Sequence, residues 1–127
     1  MAYSRDTKLG QTIEKIIAEI PGLIAVSIID INSGMSLASH TNNPAYDPEI
    51  ASAYNAEVVK QKIKAISALR LTGETIDDIM ITLTNQIHLL KVLPNANYFI
   101  YVAANSREVN LAIARSVLKK HAADIVL

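Results

Sequence analysis

The 127-residue chain has no cysteine. That excludes a disulfide framework, a thiol nucleophile and a thiolate metal site, and it is the usage expected of a reducing compartment. Glycine is scarce: the four present leave little room for a phosphate cradle. No G-x-x-x-x-G-K-[ST], G-x-G-x-x-G, H-E-x-x-H or G-x-S-x-G pattern occurs. Long apolar runs are also missing, since none reaches the roughly 18 residues that span a bilayer, and the opening MAYSRDTKLG has no signal-peptide core. Net charge is absent too. Twelve basic residues balance twelve acidic ones, so no overall field recruits nucleic acid or an anionic membrane. These absences lead us to expect a soluble cytoplasmic protein with no nucleic-acid partner and no direct membrane insertion.

What is present is hydrophobic patterning. Half of the residues are hydrophobic, enough for one domain over residues 1–127 to bury a core without staples, with 1–5 expected as a flexible tail. Leu9, Ile13, Ile16, Ile17 and Ile20 recur at helical spacing behind Asp6 or Thr7 as a cap. Leu23 to Asp30 and Met35 to Ser39 read as a hairpin around Asn32-Ser33-Gly34.

The central stretch, Asp47 to Gly73, predicts a long helix. Asp47 caps it, Pro48 and Glu49 suit its first turn, and Gly73 is expected to close it. Its apolar residues Tyr54, Val58, Val59, Ile63, Ala65, Ile66 and Leu69 sweep an arc too wide for one sheet, which predicts a second buried surface. Thereafter the period falls to two. Strands are expected over about Ile76 to Thr84, Ile87 to Leu93 and Tyr98 to Ala104, with turns at Asn85-Gln86 and Asn95-Ala96-Asn97. A last helix starts at Asn105, through a capping box with Glu108, or at Asn110.

Several residues invite a chemical reading and are better explained otherwise. His40, His88 and His121 lack the spacing that presents two metal ligands on one face, which favours surface or packing roles. Asp77 and Asp78 are adjacent on a strand and diverge, so solvated strand-entry charges are expected rather than a cation site. Asp30 suits a turn, and Tyr98, Phe99 and Tyr101 suit sheet packing. Lys60, Lys62, Lys64 and Arg70 form the one charge cluster, either a solvated helix face or a landing strip for an acidic protein surface.

Taken together, GLIAVSIIDINSGMSLAS, DPEIASAYNAEVVKQKIKAI, LLKVLPNANYFIYVAAN and NLAIARSVLKK resemble the first hairpin, central helix, last hairpin and closing helix of the roadblock family of dynein light-chain-type proteins and their prokaryotic relatives. Asn85-Gln86 departs from the longer or glycine-containing turn common there. The resemblance implies an α+β fold of order αββαβββα. It is a roadblock/profilin-like three-layer sandwich in which a single five-stranded antiparallel sheet carries the long central helix on one face and the two terminal helices on the other.

It further implies a non-enzymatic homodimer that binds a small Ras-like GTPase and stimulates or scaffolds it. The dimer interface would fall at Tyr54, Val58, Ile79, Ile81 and Leu83, and the partner surface at Glu57, Lys60, Gln61 and Lys64. No catalytic, cofactor-binding or metal-ligating residue is assigned; Arg70 and Arg107 are finger candidates only by residue type. The alternatives are an adaptor subunit of a motor or membrane-signalling assembly and a small-ligand sensor. The edge strand itself argues for pairing, because IMITLT carries no lysine or proline to block it. On sequence grounds Ile81→Lys is expected to break the dimer and Lys91→Glu to spare it.

Overall fold

The computed structural model describes residues 3–127, and its elements run α1 (Lys8–Glu19), β1 (Leu23–Asp30), β2 (Ser36–Thr41), α2 (Pro48–Ala68), β3 (Asp78–Thr82), β4 (Gln86–Val92), β5 (Tyr98–Asn105) and α3 (Leu111–Asp124). Helix α1 starts where Thr7 accepts a hydrogen bond from the Gly10 N–H at 2.9 Å. Of the expected tail, Met1 and Ala2 lie outside the described residues, whereas Tyr3 packs against the core and edge-on to His40.

Asp30 shapes the first hairpin turn, its carboxylate accepting from the N–H groups of Asn32 (2.8 Å) and Ser33 (3.2 Å). This is the turn role its position predicts. Strand β2 runs on to Thr41, beyond the expected Ser39, because His40 and Thr41 still pair with Val26 and Ala25.

Helix α2 opens as read, with Asp47 accepting from the Glu49 N–H at 2.9 Å and Pro48 at the first helical position. It closes early, at Ala68 rather than Gly73. The Arg70 N–H bonds to the Ser67 carbonyl and the Leu71 N–H to the Ile66 carbonyl, which is the Schellman pattern. Arg70 therefore takes the left-handed position, at φ 56°, that glycine usually fills. Gly73, at φ 84°, serves the following turn, closed by Glu74 N–H to Leu71 carbonyl.

Strand β3 is shorter than expected, and its connection to β4 is closed by the Leu83 N–H on the Gln86 carbonyl. At the last helix Asn110 is the cap, accepting from Ile113 N–H at 3.0 Å. Asn105 instead accepts from Arg107 N–H in a local turn, so the capping-box reading fails.

The five strands form one antiparallel sheet in the order β2-β1-β5-β4-β3. Alternation sends Val26, Ile28, Leu89, Ile100 and Val102 to one face, where Ile13, Ile16 and Ile20 of the first helical segment and Ala114, Val117, Leu118 and Ala122 of α3 cover them. Ala25, Ile29, Leu90, Phe99 and Tyr101 point to the other, under Ala56 and Val59 of α2. Phe99 and Tyr101 thus pack in the core, as their strand position suggests.

Candidate protein interface

Helix α2 buries only a narrow stripe, Ser52, Ala56 and Val59. Much of the rest of its apolar arc is exposed, Tyr54 at 74%, Val58 at 38% and Leu69 at 65%, while Ala65 and Ile66 are half-buried. The helix packs chiefly on β1 and β2. Along its other flank runs a groove of about 720 Å³ whose lining includes Glu57, Val58, Gln61, Ala65 and Ile79.

Strand β3 forms the far wall at the sheet's edge. Ile79 and Ile81 are half-buried against the α2-side core, while Met80 on the reverse face and Leu83 beyond the strand are exposed. The expected dimer residues therefore converge on one region: Val58 and Ile79 line the same groove, Ile81 shares a strand face with Ile79, and Tyr54 stands one helical turn from Val58. An edge strand beside an exposed apolar helix face is the kind of surface that monomeric proteins seldom leave open.

The expected partner residues are not gathered as tightly. Glu57 and Gln61 belong to the groove, beside Val58. Lys60 and Lys64 lie on the opposite flank in line with Ala53, whose Cα sits close above Gly34 at the β1–β2 turn. A 3.1 Å ion pair from Lys60 to Glu57 bridges the crest. Lys62 joins the groove wall, and Arg70 is exposed at the end of the helix. Arg107 is exposed in the loop before α3.

The remaining polar residues act mainly as ties between elements. Glu49, in the first turn of α2, accepts from Ser36 Oγ (2.8 Å) and Ser39 Oγ (3.1 Å), fixing the helix start to β2. The Tyr46 and Tyr101 hydroxyls are hydrogen-bonded; burial first, and then that bond, pushes the Tyr101 phenol up. Asp77 and Asp78 are not simply solvated. Asp77 pairs with Lys91, whose ammonium holds its carboxyl below the usual range, and Asp78 receives both Nε (2.8 Å) and Nη2 (3.2 Å) of Arg115 from α3.

His121 is buried and meets Glu19 at 2.6 Å, joining α3 to α1, and Lys120 with His121 lowers the Glu19 carboxyl. His88 lies edge-on to Tyr101, with ring centroids 5.4 Å apart, and burial lowers its basicity. Ser27 Oγ, buried on the α2 face, has no hydrogen-bond partner among the described residues. The Glu19–His121 and Asp78–Arg115 pairs escape sequence reasoning because their members stand 102 and 37 positions apart. Glu49, by contrast, was visible as a first-turn acid, and only its second role was hidden.

Among the described residues no group of three or more His, Asp or Glu side chains is gathered to hold a metal, and no helix is long and apolar enough to cross a membrane. What this region offers chemically is recognition: an open backbone edge, an apolar groove and a line of charges.

No protein-family model and no curated protein matches the sequence. Solved structures do match the fold. A Roadblock/LC7 domain from Streptomyces avermitilis is similar over 93% of this chain and 94% of its own, with a TM-score of 0.78 at 9% identity. Myxococcus xanthus MglB matches over 94% and 92%, with a TM-score of 0.74 at 17% identity. MglC of the same organism matches over 93% and 96%, with a TM-score of 0.60 at 21% identity. With its αββαβββα order and five-stranded antiparallel sheet, the chain has the fold of the Roadblock/LC7 domain.

Proposed function

We propose that the protein is a non-enzymatic, homodimeric regulator or scaffold of a small Ras-like GTPase acting in the cytoplasm. The observation that carries this reading is the exposed apolar flank of α2 beside the open β3 edge, on a fold shared with MglB. In the dimer, β3 pairs with its copy and the two α2 helices pack Tyr54 and Val58 against each other, an isologous contact of the most common symmetry. Glu57, Lys60, Gln61 and Lys64 then border the paired helices and meet the GTPase. A solved MglB with a tetrameric arrangement shares this fold, which supports self-association as a use of it.

Acceleration of hydrolysis would come from ordering the partner's own catalytic groups, since neither Arg70 nor Arg107 lies beside that quartet in sequence or groove. The test is binding and single-turnover hydrolysis with the purified small GTPases of the source organism. We expect binding that weakens on Lys64→Glu. A protein that neither binds nor alters turnover of any of them contradicts the reading, and capture of large scaffolds alone would favour the adaptor instead.

A second reading, a small-ligand sensor, is favoured by one observation. A mainly apolar cavity of about 550 Å³ opens between the second half of α2, the connection into β3, the β4–β5 turn and the end of α3, lined by Ile63, Ile66, Ile76, Val92, Leu93 and Ala122 among others. Native mass spectrometry of the purified protein decides it: a co-purified compound supports the sensor, and the bare chain mass counts against it.

A further inference from the structure

The two halves of α2 are held very differently. In the first half, Glu49 is tied to Ser36 and Ser39, Ser52 and Ala56 are fully buried, and the β1–β2 turn at Gly34 lies within ordinary van der Waals reach of Ala53 and Ala56. After Val59 no residue of the helix is fully buried. The grooves of about 720 Å³ and 550 Å³ lie along this second half, one reached by Gln61 and Ala65 and the other by Ile63 and Ile66. Beyond it the chain is exposed from Ser67 to Thr75 and passes through the left-handed Arg70. A helix is stiff over this length, so a rod fastened at one end and undercut at the other moves as a unit rather than residue by residue.

We infer that α2 is a lever that pivots on its buried stripe of Ser52, Ala56 and Val59, its far half, residues 60–68, swinging across the apolar floor formed by Ile76, Ile79 and Val92. Swinging toward this floor narrows both the groove beside Val58 and the cavity beside Ile63, since both have walls on β3, its lead-in and β4, and swinging away widens both. Because Lys64 rides on the moving half, whatever fills either groove sets the position of that charge. The consequence for a GTPase rests on the proposed function, but the motion itself does not.

The absence of cysteine makes the test direct. Spin labels are placed on the double variant Lys64→Cys/Thr82→Cys and, as a control near the pivot, on Ala53→Cys/Thr82→Cys. Each labelled protein is diluted into excess unlabelled chain so that only distances within one protomer are read. The Lys64 pair is expected to give a distance distribution about twice as broad as the Ala53 pair, and Ala65→Leu, which fills one groove, is expected to narrow it. Hydrogen exchange at Ile63 and Lys64 should stay slow, since their helical bonds survive a pivot. Equal widths for the two pairs overturn the lever, and so does loss of protection at Ile63 and Lys64, which would mean local unfolding. Neither result depends on whether a GTPase binds.

Discussion

On the α1/α3 face of the sheet, large aliphatic side chains from two helices close over Val26, Ile28, Leu89, Ile100 and Val102, and the Glu19–His121 contact joins the helices at one end. On the α2 face a single helix contributes only the small residues Ser52, Ala56 and Val59 over Ala25, Ile29, Leu90, Phe99 and Tyr101, and Tyr54, Val58 and Leu83 are left in solvent. The first face is covered by two helices, whereas the second is covered only in part. The same number of strands supports both, so the difference lies in the number of covering helices and the size of the side chains those helices bury. It leaves the α2 face as the more exposed of the two and the one on which the proposed association would act.

The largest expected effect belongs to the complete face. Ile16→Ala should cost about 2–5 kcal/mol by leaving a cavity among packed aliphatics, and the loss, read from urea midpoints, should not change with protein concentration. Val58→Asp probes the open face. It should cost about 2–3 kcal/mol of association, roughly a hundredfold in the dissociation constant measured by sedimentation equilibrium, while leaving monomer stability nearly unchanged. Lys15→Glu, on exposed α1 surface, is the control. Lys91→Glu, the benign control expected from sequence, is not suitable because Lys91 pairs with Asp77 and stands opposite Asp78 in the β3–β4 ladder. Ile81→Lys mixes effects for a similar reason, since Ile81 also packs on the core.

Arg70→Gly should stabilise the chain by about 1 kcal/mol, because glycine adopts the left-handed end of α2 without steric cost. A midpoint that falls would show that the Arg70 side chain makes up for its backbone.

The smallest effect is a pH dependence on the α2 face. Burial holds the folded-state pKa of His88 below its ordinary 6.5. The unfolded chain therefore binds the proton first, and this contribution to stability is complete above pH 6.5 and is lost as pH falls through the lowered folded value. His88→Gln should flatten that part of the stability profile, and an unchanged profile would assign the dependence to another group.

Much of this was legible in the sequence. Asp47-Pro48 marks a helix start through a local hydrogen bond and a fixed φ, so it needs no tertiary information. The excess width of the apolar arc likewise anticipated residues that one sheet does not cover. The helix end was misplaced because glycine is the expected left-handed residue, and here Arg70 adopts that conformation three positions earlier while Gly73 turns the next corner. Partner residues were harder to place. Helical spacing put Glu57, Lys60, Gln61 and Lys64 together, but only the position of β3 shows that Glu57 and Gln61 look into a groove while the two lysines look away.

The central claim is that the α2 face is completed by a second copy of the chain. Light scattering of the wild-type protein from micromolar concentration upward tests it most directly. The expected result is twice the chain mass, with Val58→Asp shifting toward one chain mass at about a hundredfold higher concentration than the wild type does. A wild-type protein that stays at one chain mass throughout would contradict it.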